Sequence, residues 1–94
     1  VNGVRETLNA LSKGQVRFLL VRGDTVAPGF RSRKTGRLST QVRDLREDGD
    51  VVPTVDVIDD AIEEALRQRV ALDVLYDTEI GDAVDGLAGL LRFK

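Results

Sequence analysis

The sequence contains no cysteine and no histidine among its 94 residues. Disulfide bonds, thiolate nucleophiles, imidazole acid–base catalysis and zinc sites built from these side chains are therefore excluded for this chain. The lack of cysteine fits a reducing compartment, and we expect a cytoplasmic protein. Tryptophan is also absent, and there are only three phenylalanines and one tyrosine, which leaves few platforms for stacking single-stranded bases.

Charge and hydrophobicity are both those of an ordinary globular domain. No run approaches the roughly 20 apolar residues that cross a bilayer, so we expect no membrane contact. The formal charge is −2, from 14 basic and 16 acidic side chains, which argues against a dedicated nucleic-acid binder but permits a local basic patch. A length of 94 residues predicts one domain spanning residues 1–94.

The most apolar segment is a short run over Val16–Val21, interrupted only by Arg17. A strand with one wet face alternates apolar and polar residues, and this run does not. It is typical of a strand that is covered on both faces in a layered α/β domain.

Two segments have the apolar spacing of helices. The first is predicted from about Gly3 to Lys13, with Asn2 as its N-cap and an apolar stripe formed by Val4, Leu8 and Leu11. The second begins at Asp56, and its stripe consists of Ile58, Ala61, Ile62, Ala65 and Leu66. Aspartates at 56, 59 and 60 suit the positive end of the helix dipole, so we predict no metal site there.

The remaining apolar segments complete an α/β pattern. A second strand is predicted over Val70–Tyr76, with Val70, Leu72, Val74 and Tyr76 on one face. Helical spacing follows at Ile80, Val84 and Leu87, and a closing strand is predicted over Leu90–Phe93. This order predicts a sheet flanked by helices, in which right-handed crossovers make the first two long strands parallel neighbours.

Residues 24–53 form an insertion of different character. Four cations without an intervening acid occur at Arg31, Arg33, Lys34 and Arg37, and the acidic run Glu47–Asp50 follows. Thr35-Gly36 predicts a turn, and Leu38–Leu45 a short edge strand. A solvated hairpin is the favoured interpretation, because the acids neutralise much of the field of the cations. The alternative is a contact surface for phosphate or an acidic partner.

Three stretches together resemble a known family. GVRETLNALSKGQVRFLLV over residues 3–21 resembles the opening of the C-terminal domain of archaeal and eukaryotic class-1 peptide chain release factors. DGLAGLLRF over residues 85–93 is similar to the end of that domain, and the insertion lies where those factors carry an inserted minidomain. GFRSRKTGRL over residues 29–38 is similar to the insertion of bacterial relatives. The resemblance spans most of the chain outside the insertion.

The resemblance implies a three-layer α/β/α sandwich with a small mixed sheet and an inserted β-hairpin-like loop, a fold shared with kink-turn RNA-binding ribosomal proteins. It also implies a role in translation termination without catalysis, cofactor or small-molecule substrate, in which the domain docks a translational GTPase or the ribosome. In the family, hydrolysis depends on a Gly-Gly-Gln loop in a separate domain, and Lys13-Gly14-Gln15 is not that motif. Since the sequence starts at Val1 and contains no methionine, we expect a domain of a longer protein.

The kink-turn relatives read RNA with a G-x-N-E start to their first helix. Here Arg5 stands at the Asn position and Glu6 follows it. An arginine can hold a phosphate but cannot make the two-sided contacts of an amide. The candidate contact residues for a partner or for RNA are Arg5, Glu6, Arg31, Arg33, Lys34 and Arg37. RNA binding through these residues is the alternative to protein docking.

Overall fold

The chain forms a small α/β fold with two three-stranded sheets in residues 1–76 and 84–92, the part that the computed structural model describes. The elements are α1 (Val4–Ser12), β1 (Val16–Arg22), β2 (Gly29–Ser32), β3 (Leu38–Ser39), a 3₁₀ helix (Val42–Asp48), β4 (Val51–Thr54), α2 (Val57–Arg67), β5 (Ala71–Leu75) and β6 (Leu87–Leu91). The predicted α/β class, with a small mixed sheet and a β-structured insertion, is confirmed.

The mixed sheet has the strand order β5-β1-β6, so β1 is its central strand. β1 runs parallel to β5, with Phe18 opposite Ala71, and the predicted parallel pairing is confirmed. β6 is antiparallel to β1, and the register shifts between Val16 and Phe18. Leu87 belongs to β6 rather than to a helix, while Ile80, the start of that predicted helical spacing, lies outside the described residues.

The two faces of β1 have different surroundings. Leu19 and Val21 are buried in one apolar cluster with side chains of both helices, and α1 and α2 also contact each other. Phe18 and Leu20 point to the opposite face and are only half-buried, and Leu90 of β6 is 49% exposed. The predicted cover is therefore present on the helix side.

The N-cap of α1 differs from the predicted one, whereas α2 starts where it was predicted to start. Gly3 caps α1 with a positive φ of 116°, and Asn2 instead accepts a hydrogen bond from the Asp85 N–H (2.9 Å). The second helix starts at Asp56 as predicted, and Asp56 is its N-cap, because its carboxylate accepts from the Ile58 N–H (3.1 Å).

The apolar stripe of α2 is narrower than predicted. Ile58, Ala61 and Ala65 are buried, but Leu66 is 62% exposed. At 3.6 residues per turn Leu66 lies about 80° around the helix from Ile58, which places it at the edge of the stripe.

The insertion folds into an antiparallel sheet with the order β3-β2-β4. The turn predicted at Thr35-Gly36 is present, and Gly36 has a φ of 76° that favours glycine. The strand predicted over Leu38–Leu45 is only two residues long, and the chain then enters the 3₁₀ helix. In the described ranges, no helix has the length and apolarity needed to span a membrane.

Adjacent leucines in β1 test the two-faced packing. We expect Leu19→Ala to lower the free energy of unfolding by about 2–5 kcal/mol, because it leaves a cavity in the core. Leu20→Ala removes the same atoms from a site that is only partly buried, and we expect a smaller loss of unfolding free energy. Urea denaturation of the two variants measures the difference, and equal losses would contradict the packing described here.

Candidate interaction surface

The candidate residue Arg5 joins α1 to the insertion. Its Nε donates to Oδ2 of Asp44 (2.8 Å), and its Nη2 donates to Oδ1 of the same carboxylate (2.7 Å). Asp44 lies in the 3₁₀ helix and also accepts a hydrogen bond from the hydroxyl of Ser39. Two-point Arg–carboxylate pairing fixes orientation as well as distance, so the contact holds the insertion against the first turn of α1.

This contact sets the ionisation of both partners. The hydrogen bonds from Arg5, followed by the one from Ser39, hold the pKa of the Asp44 carboxyl well below its usual range. The same hydrogen bond raises the pKa of Arg5. Both groups are therefore charged at neutral pH, and the guanidinium already has a carboxylate partner within the chain.

Arg37 and Arg33 are also paired with acids of the insertion. Arg37 donates to Asp48 (2.9 Å), whose other oxygen accepts from the Thr35 hydroxyl (2.8 Å). The Asp48 side chain is only 9% exposed, which makes this the more shielded pair. Arg33 lies 3.7 Å from Asp50 with both side chains mostly exposed, and such a pair contributes little to stability.

Arg31 and Lys34 differ from the other candidate cations. Both are exposed, and neither has an ion-pair partner within residues 1–76 and 84–92. Glu6 is exposed as well, at the start of α1.

The six candidate residues fall into two groups. Arg5, Glu6 and Arg37 line a cleft of about 320 Å³ that is shared with Asn9 and Asp44. Arg31, Arg33 and Lys34 line a second cleft of about 280 Å³, between the hairpin turn and α2. The α2 side of this second cleft consists of Asp60, Glu63, Glu64 and Arg67. The basic loop therefore faces acids of its own chain, and the helix start does not join it in one continuous patch.

A third cleft was not predicted from the sequence. It lies at the carboxyl ends of β1 and β5, beside the first turns of α2, and has a volume of about 210 Å³. Tyr76 was predicted to share a strand face with Val70, Leu72 and Val74, but it follows the end of β5 and is 65% exposed. Val26, also on this cleft, is 70% exposed. The predicted strand topology could have indicated this cleft, since ligands of open α/β sheets bind at the carboxyl ends of parallel strands.

The described side chains include no cluster of three or more acids arranged to hold a metal ion. The sequence matches no protein-family model, and comparison with curated proteins gives no significant match. Function is therefore inferred from the fold and from the chemistry of these surfaces.

The Arg5–Asp44 contact predicts a pH dependence of stability. Because the pKa of Asp44 is lower in the folded chain than in the unfolded chain, its contribution is complete above the unfolded value of about 3.9 and is lost as pH falls towards the folded value. We expect Asp44→Asn to be less stable than the parent at pH 7, and the difference between the two stabilities to shrink steadily as pH falls below about 4.

The matched control is Asp73→Asn, which makes the same change of charge at an exposed position on β5. Thermal unfolding from pH 2.5 to 7 measures all three proteins. A constant difference between the parent and Asp44→Asn across this range would show that Asp44 contributes nothing through its charge.

Proposed function

We propose that the chain is a non-catalytic interaction domain of a release-factor-like, ribosome-associated protein, and that it docks a translational GTPase or the ribosome. The resemblance of residues 3–21 and 85–93 to the C-terminal domain of class-1 release factors supports this proposal. The α/β fold, with its β-structured insertion directly after the first strand, agrees with that resemblance.

The proposal depends mainly on the observation that several basic side chains form ion pairs with carboxylates of the same chain. Arg5, Arg37 and Arg33 each have a carboxylate partner in the insertion. Phosphate binding would have to compete with these contacts. Large apolar side chains are instead left on the surface, at Val26, Val55, Leu66 and Tyr76. A surface with neutralised cations and exposed apolar residues suits a protein partner better than a phosphate backbone.

A role without catalysis agrees with the surroundings of the hydroxyl–carboxylate pair formed by Ser39 and Asp44. The Ser39 hydroxyl donates to Asp44, an arrangement that in other settings activates a nucleophile. Here Ser39 is only 3% exposed, and the pKa of Asp44 lies far below neutral pH, so the carboxylate is a poor base.

RNA binding is the second candidate, and the cations of Arg31 and Lys34 favour it. Both are exposed and free of ion pairs in the part of the chain that the structure describes. Each phosphate contact contributes about 0.9 to the slope of log affinity against log salt concentration. Two such contacts therefore predict about a tenfold loss of affinity between 50 and 200 mM salt.

Salt dependence separates the two candidates. We expect the chain to bind a purified translational GTPase, loaded with a non-hydrolysable GTP analogue, or purified ribosomes, with an affinity that changes less than about threefold between 50 and 200 mM salt. The double variant Arg31→Ala/Lys34→Ala is expected to bind as the parent does. Biolayer interferometry on both immobilised partners measures this.

The control is Arg17→Ala/Arg46→Ala, which removes two positive charges at exposed positions elsewhere. A steep salt dependence that disappears only in the Arg31/Lys34 variant would replace protein docking with RNA binding. Failure to bind either partner would contradict the proposed function.

A further inference from the structure

We call the cleft at the carboxyl ends of β1 and β5 the Tyr76 cleft. None of the six candidate contact residues lines it. Its lining includes the half-buried side chains of Val74 and Ile62 and the exposed side chains of Val26 and Tyr76. Its volume of about 210 Å³ is below the roughly 300–1,000 Å³ of small-molecule sites. It has room for one or two side chains of a peptide rather than for a whole cofactor.

The walls of the Tyr76 cleft are held in place by backbone hydrogen bonds. The Val57 N–H donates to the Ala27 carbonyl (2.7 Å), and the Asp56 carboxylate accepts from the Ala27 N–H (3.2 Å). At the other end the Gly23 N–H donates to the Leu75 carbonyl (2.9 Å). The loop after β1 is thus hydrogen-bonded to both α2 and β5. Because the site is already formed, binding of a ligand would cost little conformational entropy in this loop.

Tyr76 contributes an exposed aromatic ring to the cleft. Its ring lies directly over Gly23, and a Cβ at that position would collide with the ring. The ring is nevertheless 65% exposed, and Val26 beside the same cleft is 70% exposed. An exposed ring backed by main chain offers one free face, which attracts apolar groups and cations.

The charges around the Tyr76 cleft are mainly negative. Asp24 pairs with Arg22 (3.0 Å), and Asp56 is used in the helix cap. Asp59 is exposed and has no hydrogen-bond or ion-pair partner within the described ranges. The dipole at the start of α2 supplies only about half a positive charge, so Asp56 and Asp59, the two aspartates of this helix start that line the cleft, outweigh it.

We propose that the Tyr76 cleft receives a lysine or arginine side chain, together with a neighbouring apolar residue, from a segment of the partner protein. The cation lies against the Tyr76 ring and the carboxylate of Asp59, and the apolar residue contacts Val26 and Ile62. This inference rests on the proposed function, because it names the surface and the partner chemistry through which a docking domain would act.

The test begins with a random heptapeptide phage library selected on the immobilised chain. We expect enriched peptides to carry lysine or arginine next to an aliphatic residue. The most enriched peptide is then synthesised and titrated into ¹⁵N-labelled protein, where the amide signals of Gly23 and Ile58 report binding at the cleft. Absence of enrichment, enrichment without a cation, or shifts confined to other regions would overturn the proposal.

Variants locate the contact. Tyr76→Ala is expected to weaken the peptide about tenfold, because it removes both the apolar contact and the attraction between the ring and the cation. Tyr76→Phe keeps the ring and should bind as the parent does, while Asp59→Asn should weaken the cationic peptide. Leu66→Ala is the control, an equally exposed apolar residue of α2 that does not line the cleft. Unchanged affinity in Tyr76→Ala would overturn the proposal.

The same variants separate this inference from the proposed function. If the parent and Tyr76→Ala bind the GTPase or the ribosome equally, the Tyr76 cleft is not the docking surface and the proposed function stands. If the parent binds the selected peptide at the cleft but neither translational partner, the cleft's specificity stands and the proposed function fails.

Discussion

Burial of one side of β1 is the constraint on which the other elements depend. Leu19 and Val21 lie in the same apolar cluster as residues of both helices, while the strand is hydrogen-bonded on its two edges to β5 and β6. The helices therefore lie together on one side of the mixed sheet. The parallel pairing of β1 and β5 also brings their carboxyl ends together, and the Tyr76 cleft results from that arrangement.

The insertion is attached to this body by charge as well as by apolar contact. Leu38 lies in the main core, and a charged contact joins Arg5 of α1 to Asp44 of the insertion. Part of the basic stretch is therefore used for internal structure, since Arg37 pairs with Asp48, while Arg31 and Lys34 have no ion-pair partner within the described ranges. The exposed side chains of Val26 and Tyr76 are the reason to look for a protein partner at the Tyr76 cleft.

The elements with local signals were the predictable ones. The spacing of Leu8 and Leu11, the apolar run of β1 and the cap at Asp56 each depend on neighbouring residues, and each was found in the sequence. The pairing of Arg5 with Asp44 joins residues 39 apart in the chain, and no local pattern encodes it. The exposure of Tyr76 depends on where β5 ends and on its position beside Gly23 of the loop after β1, and strand periodicity contains neither piece of information.

The strand order also determines when the sheet can form. Both partners of β1 come late in the chain, since residue 18 pairs with residue 71 and then with residue 90, whereas β2, β3 and β4 find one another within residues 29–54. Closing the longer loops costs more conformational entropy and slows folding. During synthesis, which proceeds from the N-terminus, β1 must wait unpaired while the insertion can already fold. Its apolar segment is thus the part of the nascent chain most in need of protection from aggregation.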